Sequence, residues 1–239
     1  MEGRISTGSL DFDKLLGGGF ERDIITTIYG PGGSGKSNLC MISLVYQTKI
    51  GNKAILVDSE GGFSLDRFKQ IHGGNQQQID RALQNLFVYK PTSFNEQDRV
   101  MKGLKEHAKK SGANIIIVDS IAMLYRLELG DAIVSKENEN IFRVNKRLAN
   151  QLKILNEIAR KQNIPVIVTN QVYSLFSKEG ERSVAMVGGD LLKYWSKCLI
   201  ELQNFGGRRK MVLRKHRSLP VRELSFEIVE KGIKKRGIF

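Results

Sequence analysis

The order of apolar patterns along this sequence predicts an α/β domain. It has a mostly parallel sheet, helices on both faces and an antiparallel extension at the C-terminal end. Three observations carry that expectation. Short β-branched runs alternate with longer helical stretches through most of the chain. Several of those runs are apolar throughout, as strands buried on both faces must be. The last runs follow one another with no helical stretch between them.

In order, the strands are expected at 24–29, 54–58, 86–89, 115–119, 166–170, 199–202, 210–214 and 223–229. Helices are expected at 37–50, 64–71, 96–110 and 140–162. In the last of these Ile141, Val144, Leu148, Leu152, Leu155 and Ile158 recur three or four apart and make one apolar stripe. Two stretches, 121–139 and 172–189, show no clear period and are expected as long loops. With 239 residues the chain has room for one such domain, and a single core over 1–239 is expected.

Between the first strand and the first helix lies Gly30-Pro31-Gly32-Gly33-Ser34-Gly35-Lys36-Ser37, a full G-x-x-x-x-G-K-[ST] match. Glycines there let the backbone turn so that successive N–H groups face phosphate oxygens. The helix that follows offers its positive end to the same anion. Lys36 is assigned to the β- and γ-phosphates of ATP and Ser37 to Mg²⁺.

Ile115-Ile-Ile-Val-Asp119 is an apolar strand delivering a carboxylate at the edge where open α/β sheets bind nucleotides. Asp119 is therefore the second metal-side candidate. Past another strand end, Glu60 is the best source of a group to polarise an attacking water, with Asp58 as competitor. Both carboxylates also suit the turn that leads to a helix N-cap at Ser64. Asn170 and Gln171 close the strand at 166–170 and can sense a γ-phosphate, or serve as ordinary turn residues.

His72, His107 and His216 have no metal-ligand spacing among themselves or with the cysteines. Cys40 and Cys198 sit in apolar stretches and read as buried thiols of a reducing, cytoplasmic compartment. No apolar run is long enough to span a membrane. Leu192, Tyr194 and Trp195 read as core rather than as base-stacking groups.

Net charge is +13. Such an excess favours nucleic acid first, acidic proteins or anionic membranes second, and a lysine-rich solubilising surface otherwise. Between Gly206 and Phe239 eleven Lys and Arg stand against three Glu, so +8 of the excess is concentrated there.

Taken in order, several segments resemble the RecA/RadA recombinase family. They are Ser6-Thr-Gly-Ser-Leu-Asp11, Leu15-Leu-Gly-Gly-Gly19, the phosphate loop, Val57-Asp-Ser-Glu60 with Arg67, and Val118-Asp-Ser120 with Arg126. Val168-Thr-Asn-Gln171, Gly188-Gly189 and Arg217-Ser-Leu-Pro220 complete the series. The resemblance implies a RecA-like core without that family's N-terminal helical DNA-binding domain.

It assigns Glu60 as water-polarising base, Gln171 as γ-phosphate sensor, and Arg67 with Pro220 as the adenine sandwich, Pro220 coming from a neighbouring copy. The first DNA loop carries Arg126 but also Glu128, Asp131, Glu137 and Glu139. The second sets Lys178 and Arg182 against Glu179 and Glu181. Arg208, Arg209, Lys210 and Arg214 form a candidate DNA patch. Lys215 and Arg217 belong either to that patch or to a neighbour's phosphates. By resemblance the function is that of an ATP- and single-stranded-DNA-binding accessory of recombination and repair. It would show weak ATPase activity and weak self-association, with a RadA-type recombinase and a Holliday-junction resolvase as partners. A DNA-stimulated strand-exchange enzyme and a KaiC-like signalling ATPase are the alternatives.

Overall fold

The computed structural model describes residues 3–135, 138–176 and 182–237. Its elements run β1 (Arg4–Ile5), α1 (Leu10–Leu15), β2 (Phe20–Glu21), β3 (Ile25–Gly30), α2 (Lys36–Lys49) and β4 (Ala54–Asp58). Then come α3 (Leu65–His72), α4 (Gln76–Leu83), β5 (Leu86–Tyr89), α5 (Phe94–Ser111), β6 (Ile115–Asp119), α6 (Met123–Val134) and α7 (Asn138–Gln162). Last are β7 (Val166–Phe176), β8 (Arg182–Met186), α8 (Gly189–Trp195), β9 (Ser196–Phe205), β10 (Arg208–Lys215), β11 (Arg222–Val229) and β12 (Gly232–Lys235).

The main sheet has the order β12-β11-β10-β9-β3-β7-β6-β4-β5, with β8 on β7. From β9 to β5 neighbours are parallel. From β9 to β12 they are antiparallel. The mostly parallel sheet with an antiparallel extension is therefore as the apolar runs predict.

Alternation along the strands gives each face its own core. Ile25, Val57, Val118 and Val168 join Met101, Leu148 and Leu155 of α5 and α7. Ile28, Leu56, Ile117 and Ile200 join Phe12 and Leu39 of α1 and α2. Both faces of the central strands are thus covered, which is why those runs carry no polar alternation. The antiparallel strands keep only the second of these cores, through Met211, Leu213, Leu224 and Phe226.

Two expectations need correction. The stretch 121–139 is largely helical, as α6 and the start of α7. In α6 apolar residues fall on every side, with Leu124 and Tyr125 buried while Leu127, Ile133 and Val134 are exposed. A helix without a stripe leaves no period to detect. Likewise 172–189 holds the end of β7 and the strand β8, paired antiparallel. The charged side chains expected at 178–182, and those of Lys136 and Glu137, lie outside the described residues. Short α4 was also missed, its Ile79 and Ala82 being the apolar anchors against α2.

Candidate nucleotide site

β3 ends at Gly30 and α2 begins at Lys36, so the glycine-rich octapeptide makes the turn between them. Two glycines there have physical reasons. A Cβ on Gly30 would stand 2.4 Å from the Leu202 carbonyl oxygen of the adjacent strand. Gly35 caps α2 with φ of 109°, a conformation side chains strain against. Pro31, Gly32 and Gly33 are exposed at the loop's tip, while Ser34 is buried.

Lys36 is 6 % exposed, and its ammonium donates to the carbonyls of Gly30 and Pro31, both at 3.0 Å. Burial lowers its pKa, and the charges of Glu60 and Asp119 pull it back up. That places Lys36, Glu60 and Asp119 in one electrostatic cluster.

Asp119 ends β6 and is buried. Its carboxylate accepts hydrogen bonds from the hydroxyls of Thr169 and Ser37. Desolvation nonetheless raises its pKa, with Glu60 and Asp58 adding to the rise. The Asp119–Ser120 peptide is cis. Ser59 and Glu60 both donate their backbone N–H to the Asp119 carbonyl, at 2.9 and 3.3 Å, which pins the end of β4 to the end of β6.

The two candidate bases separate cleanly. Both Asp58 oxygens are taken, by the backbone N–H of Gly62 and of Phe63 at 3.0 Å each. Asp58 is thereby a turn-closing carboxylate, followed by the Ser64 N-cap of α3. Glu60 keeps one buried oxygen with no hydrogen-bond partner. The Ser34 hydroxyl is buried and unpartnered too.

Gln171 lies opposite Gly30 across the β3–β7 pair. A Cβ on Gly32 would be 3.8 Å from its amide nitrogen, so the side chain borders the loop. Beside it, buried Asn170 donates to the Val187 carbonyl at 2.8 Å. Strand end and residue 187, just after β8, are therefore directly tied.

Arg67 sits at the foot of α2. It bonds the Asn38 side chain and the carbonyls of Val229 and Glu230 at 2.9 and 2.8 Å. Pro220 is elsewhere. β10 runs antiparallel to β9, so its start is at the phosphate-loop end and its finish at the far end. Arg217 bonds Glu21 and Asp23, which precede β3. The length of β3 thus puts the 216–221 connection about 20 Å from the phosphate loop in the same chain.

The basic candidates scatter. Arg209 donates to the Gly33 carbonyl at 3.3 Å, touching the phosphate loop itself. Arg208 is exposed. Lys210 is paired with Glu223 and Arg214 with Glu201, each at 2.5 Å. Lys215 caps carbonyls of Lys193 and Ser196 at 2.7 and 2.9 Å. Arg126 is exposed on α6. Arg208, Arg209, Lys210 and Arg236 do line one hollow with Phe205. Arg214, Lys215 and Arg217 do not join it.

Sequence reasoning missed Thr169 and the Arg209–Gly33 contact. Thr169 had no separate signal, standing between the apolar run 166–168 and the amides of Asn170 and Gln171. The Arg209 contact joins residues far apart in the chain and had none.

A magnesium–triphosphate fits what is present. Two buried oxygens lack partners, a desolvated carboxylate lacks a counter-cation, and an ammonium is spent on its own loop's carbonyls. Ser37 and Asp119 would hold the metal, and Lys36 with the loop N–H groups the phosphates.

The Rad51 family model matches residues 3–236. A curated relative from Methanocaldococcus jannaschii, "DNA repair and recombination protein RadB", is 41% identical over 221 residues, covering 92% of this chain and 97% of that one. The protein of the same name from Methanosphaera stadtmanae is 38% identical over 225 residues, covering 92% and 91%. A solved structure described as the RadB recombinase superposes with a TM-score of 0.76 at 34% identity, covering 95% of this chain and 97% of that one. The fold is RecA-like, and the chain belongs to the Rad51 family.

Proposed function

We propose that this protein binds ATP with Mg²⁺ and single-stranded DNA, and acts as an accessory of homologous recombination and DNA repair. It would assist a RadA-type recombinase and Holliday-junction processing while turning over ATP slowly. The observation that carries the nucleotide part is the gathering of Lys36, Ser37, Asp119 and Glu60 at one sheet edge, with a Glu60 oxygen buried and unpartnered. The DNA part rests on the names of the relatives and on the basic hollow at Arg208, Arg209 and Lys210.

Bound MgATP supplies the triphosphate whose terminal bond can be hydrolysed. Around it Lys36 and the loop amides orient the phosphates, and Ser37 and Asp119 fix the metal. Glu60, with its unpartnered buried oxygen, would accept a proton from water, and Gln171 borders the loop where a terminal phosphate would be felt. Arg67 flanks the adenine side alone, because Pro220 is at the other end of the sheet. A single copy leaves that side open to solvent, which favours slow turnover.

The test measures ATP hydrolysis and oligonucleotide affinity across a salt series, with and without the partner recombinase's strand-exchange reaction. Binding that weakens with salt, slow hydrolysis and faster exchange by the partner are expected. Absence of DNA binding at low salt would remove the recombination reading and leave a nucleotide-binding protein.

A further inference from the structure

At the edge of the sheet opposite the phosphate loop, two adjoining hollows run along the C-terminal half of α7. One, of about 420 Å³, is bordered by Asp23, Arg160, Tyr194, Trp195, Lys197 and Arg217. The other, of about 510 Å³, adds Lys153 and Lys161 and shares Arg160 and Trp195. Together they make one trough floored by an aromatic residue and edged by cations.

Tyr194 does not sit in the core. It is 72% exposed, while Leu192, two residues before it, is fully buried. Trp195 packs its inner side on the α7 core and meets Tyr194 edge-on, with centroids 5.4 Å apart at 90°. Two rings at right angles present one open face to solvent, the form of a base-stacking platform.

Lys161 and Arg217 are ion-paired, but three other cations around the rings hold no ion pair among the described residues. Lys153 and Arg160 are exposed and seven residues apart, hence two turns along one side of α7, about 10 Å. Neither they nor Lys197 holds an ion pair among the described residues. The two acids nearby are already engaged. Glu157 is held by Lys105 and Lys161 at 2.7 and 2.6 Å, and Asp23 by Arg217 at 2.8 Å. Net positive charge beside exposed rings matches a polyanion that carries stackable bases and not an apolar or acidic helix.

We infer that the Tyr194–Trp195 trough is a second binding surface for single-stranded nucleic acid, about 20 Å from the nucleotide loop along β3. Backbone phosphates lie along Lys153, Arg160 and Lys197, and a base stacks on Tyr194. The surface needs neither the nucleotide nor the basic tip of the β9–β10 hairpin at Arg208, Arg209 and Lys210.

Trp195 is the chain's one tryptophan, so its fluorescence reports this trough alone. The full-length protein is titrated with end-labelled oligo-dT. Label anisotropy reads total binding, and tryptophan emission reads the trough. Saturable quenching is expected, weakened about tenfold in Tyr194→Ala and in the double variant Arg160→Ala/Lys197→Ala, and preserved in Tyr194→Phe. The double variant should also flatten the log-log salt slope by more than about one. These residues are exposed, and unchanged circular dichroism confirms the fold of each variant. Anisotropy that rises while Trp195 emission stays constant overturns the inference and leaves the hairpin as the DNA surface. So does emission that follows protein concentration and ignores oligo-dT, which marks the trough as a contact between copies.

Discussion

Arg209 on β10 donates its guanidinium to the carbonyl of Gly33, at the tip of the phosphate loop, over 3.3 Å. Its neighbours Arg208 and Lys210 line the hollow proposed for DNA. One side chain therefore joins the loop that would hold phosphates to the strand that would meet a nucleic-acid backbone.

If that contact couples the two ligands, removing it should loosen both in a matched way. Arg209→Ala is expected to weaken ATP binding about three- to fivefold, the value of one half-exposed charged hydrogen bond. In the parent protein ATP and oligonucleotide should raise each other's affinity by one common factor, as linkage requires. That factor should fall to one in Arg209→Ala and persist in Arg208→Ala. Fluorescent-nucleotide titrations with and without oligo-dT make the comparison.

Lys36→Ala should abolish nucleotide-dependent protection against heat while leaving the unliganded melting temperature within a few degrees. The ammonium is buried at a cost, so its loss removes a desolvated charge along with two hydrogen bonds. ATP affinity should drop about a hundredfold, as for a lost charge-assisted contact.

Asp119 gives a pH signature. Burial raises its carboxyl above the ordinary value, against the hydrogen bonds from Thr169 and Ser37. A carboxyl raised in the folded state contributes stability that is present below its unfolded value and lost as pH rises through the folded one. Asp119→Asn should thus melt higher than the parent at neutral pH, with the gap closing on acidification toward about pH 4. The same variant should gain no protection from Mg²⁺ with ATP. Melting curves over a pH series, with and without Mg²⁺–ATP, decide both points.

Arg147 holds α6 in place. It bonds Asp98 at 2.6 Å, Glu128 at 2.9 Å and Asn95 at 2.7 Å, and lies 4.4 Å from the Phe94 ring centroid. Arg147→Ala should cost about 1–2 kcal/mol, because Asp98 loses its cation in a half-buried setting and keeps only the Gln151 amide. Hydrogen exchange should quicken in Met123–Val134 ahead of the central strands.

The parts of the site legible in the sequence share one property: each follows a strand whose apolar run is unmistakable. The phosphate loop, Glu60, Asp119 and Gln171 all sit at such strand ends, so locating the strands located these candidates. Thr169 was hidden inside its strand, and Arg209 depended on which strand lies beside β9. The fate of Lys210, Arg214, Lys215 and Arg217 was equally opaque. Charge counting groups Lys210 and Arg214 and leaves Lys215 and Arg217 between that patch and a neighbour's phosphates, whereas pairing across the sheet and a carbonyl cap divide them. α6 escaped notice because it has no single apolar side. Tyr194 was placed in the core with Leu192, although helical geometry turns residues two apart toward different sides.

Arg67 and Pro220 lie at opposite ends of β3's length, and that spacing restricts how copies can associate. If Pro220 covers adenine in another copy without that copy's Pro220 covering the first in return, the two surfaces in contact are different and no two-fold axis relates them. Each added copy then leaves one uncovered loop at one terminus and one unused proline at the other. Growth of that kind would be polar, closing as a ring or continuing as a helix.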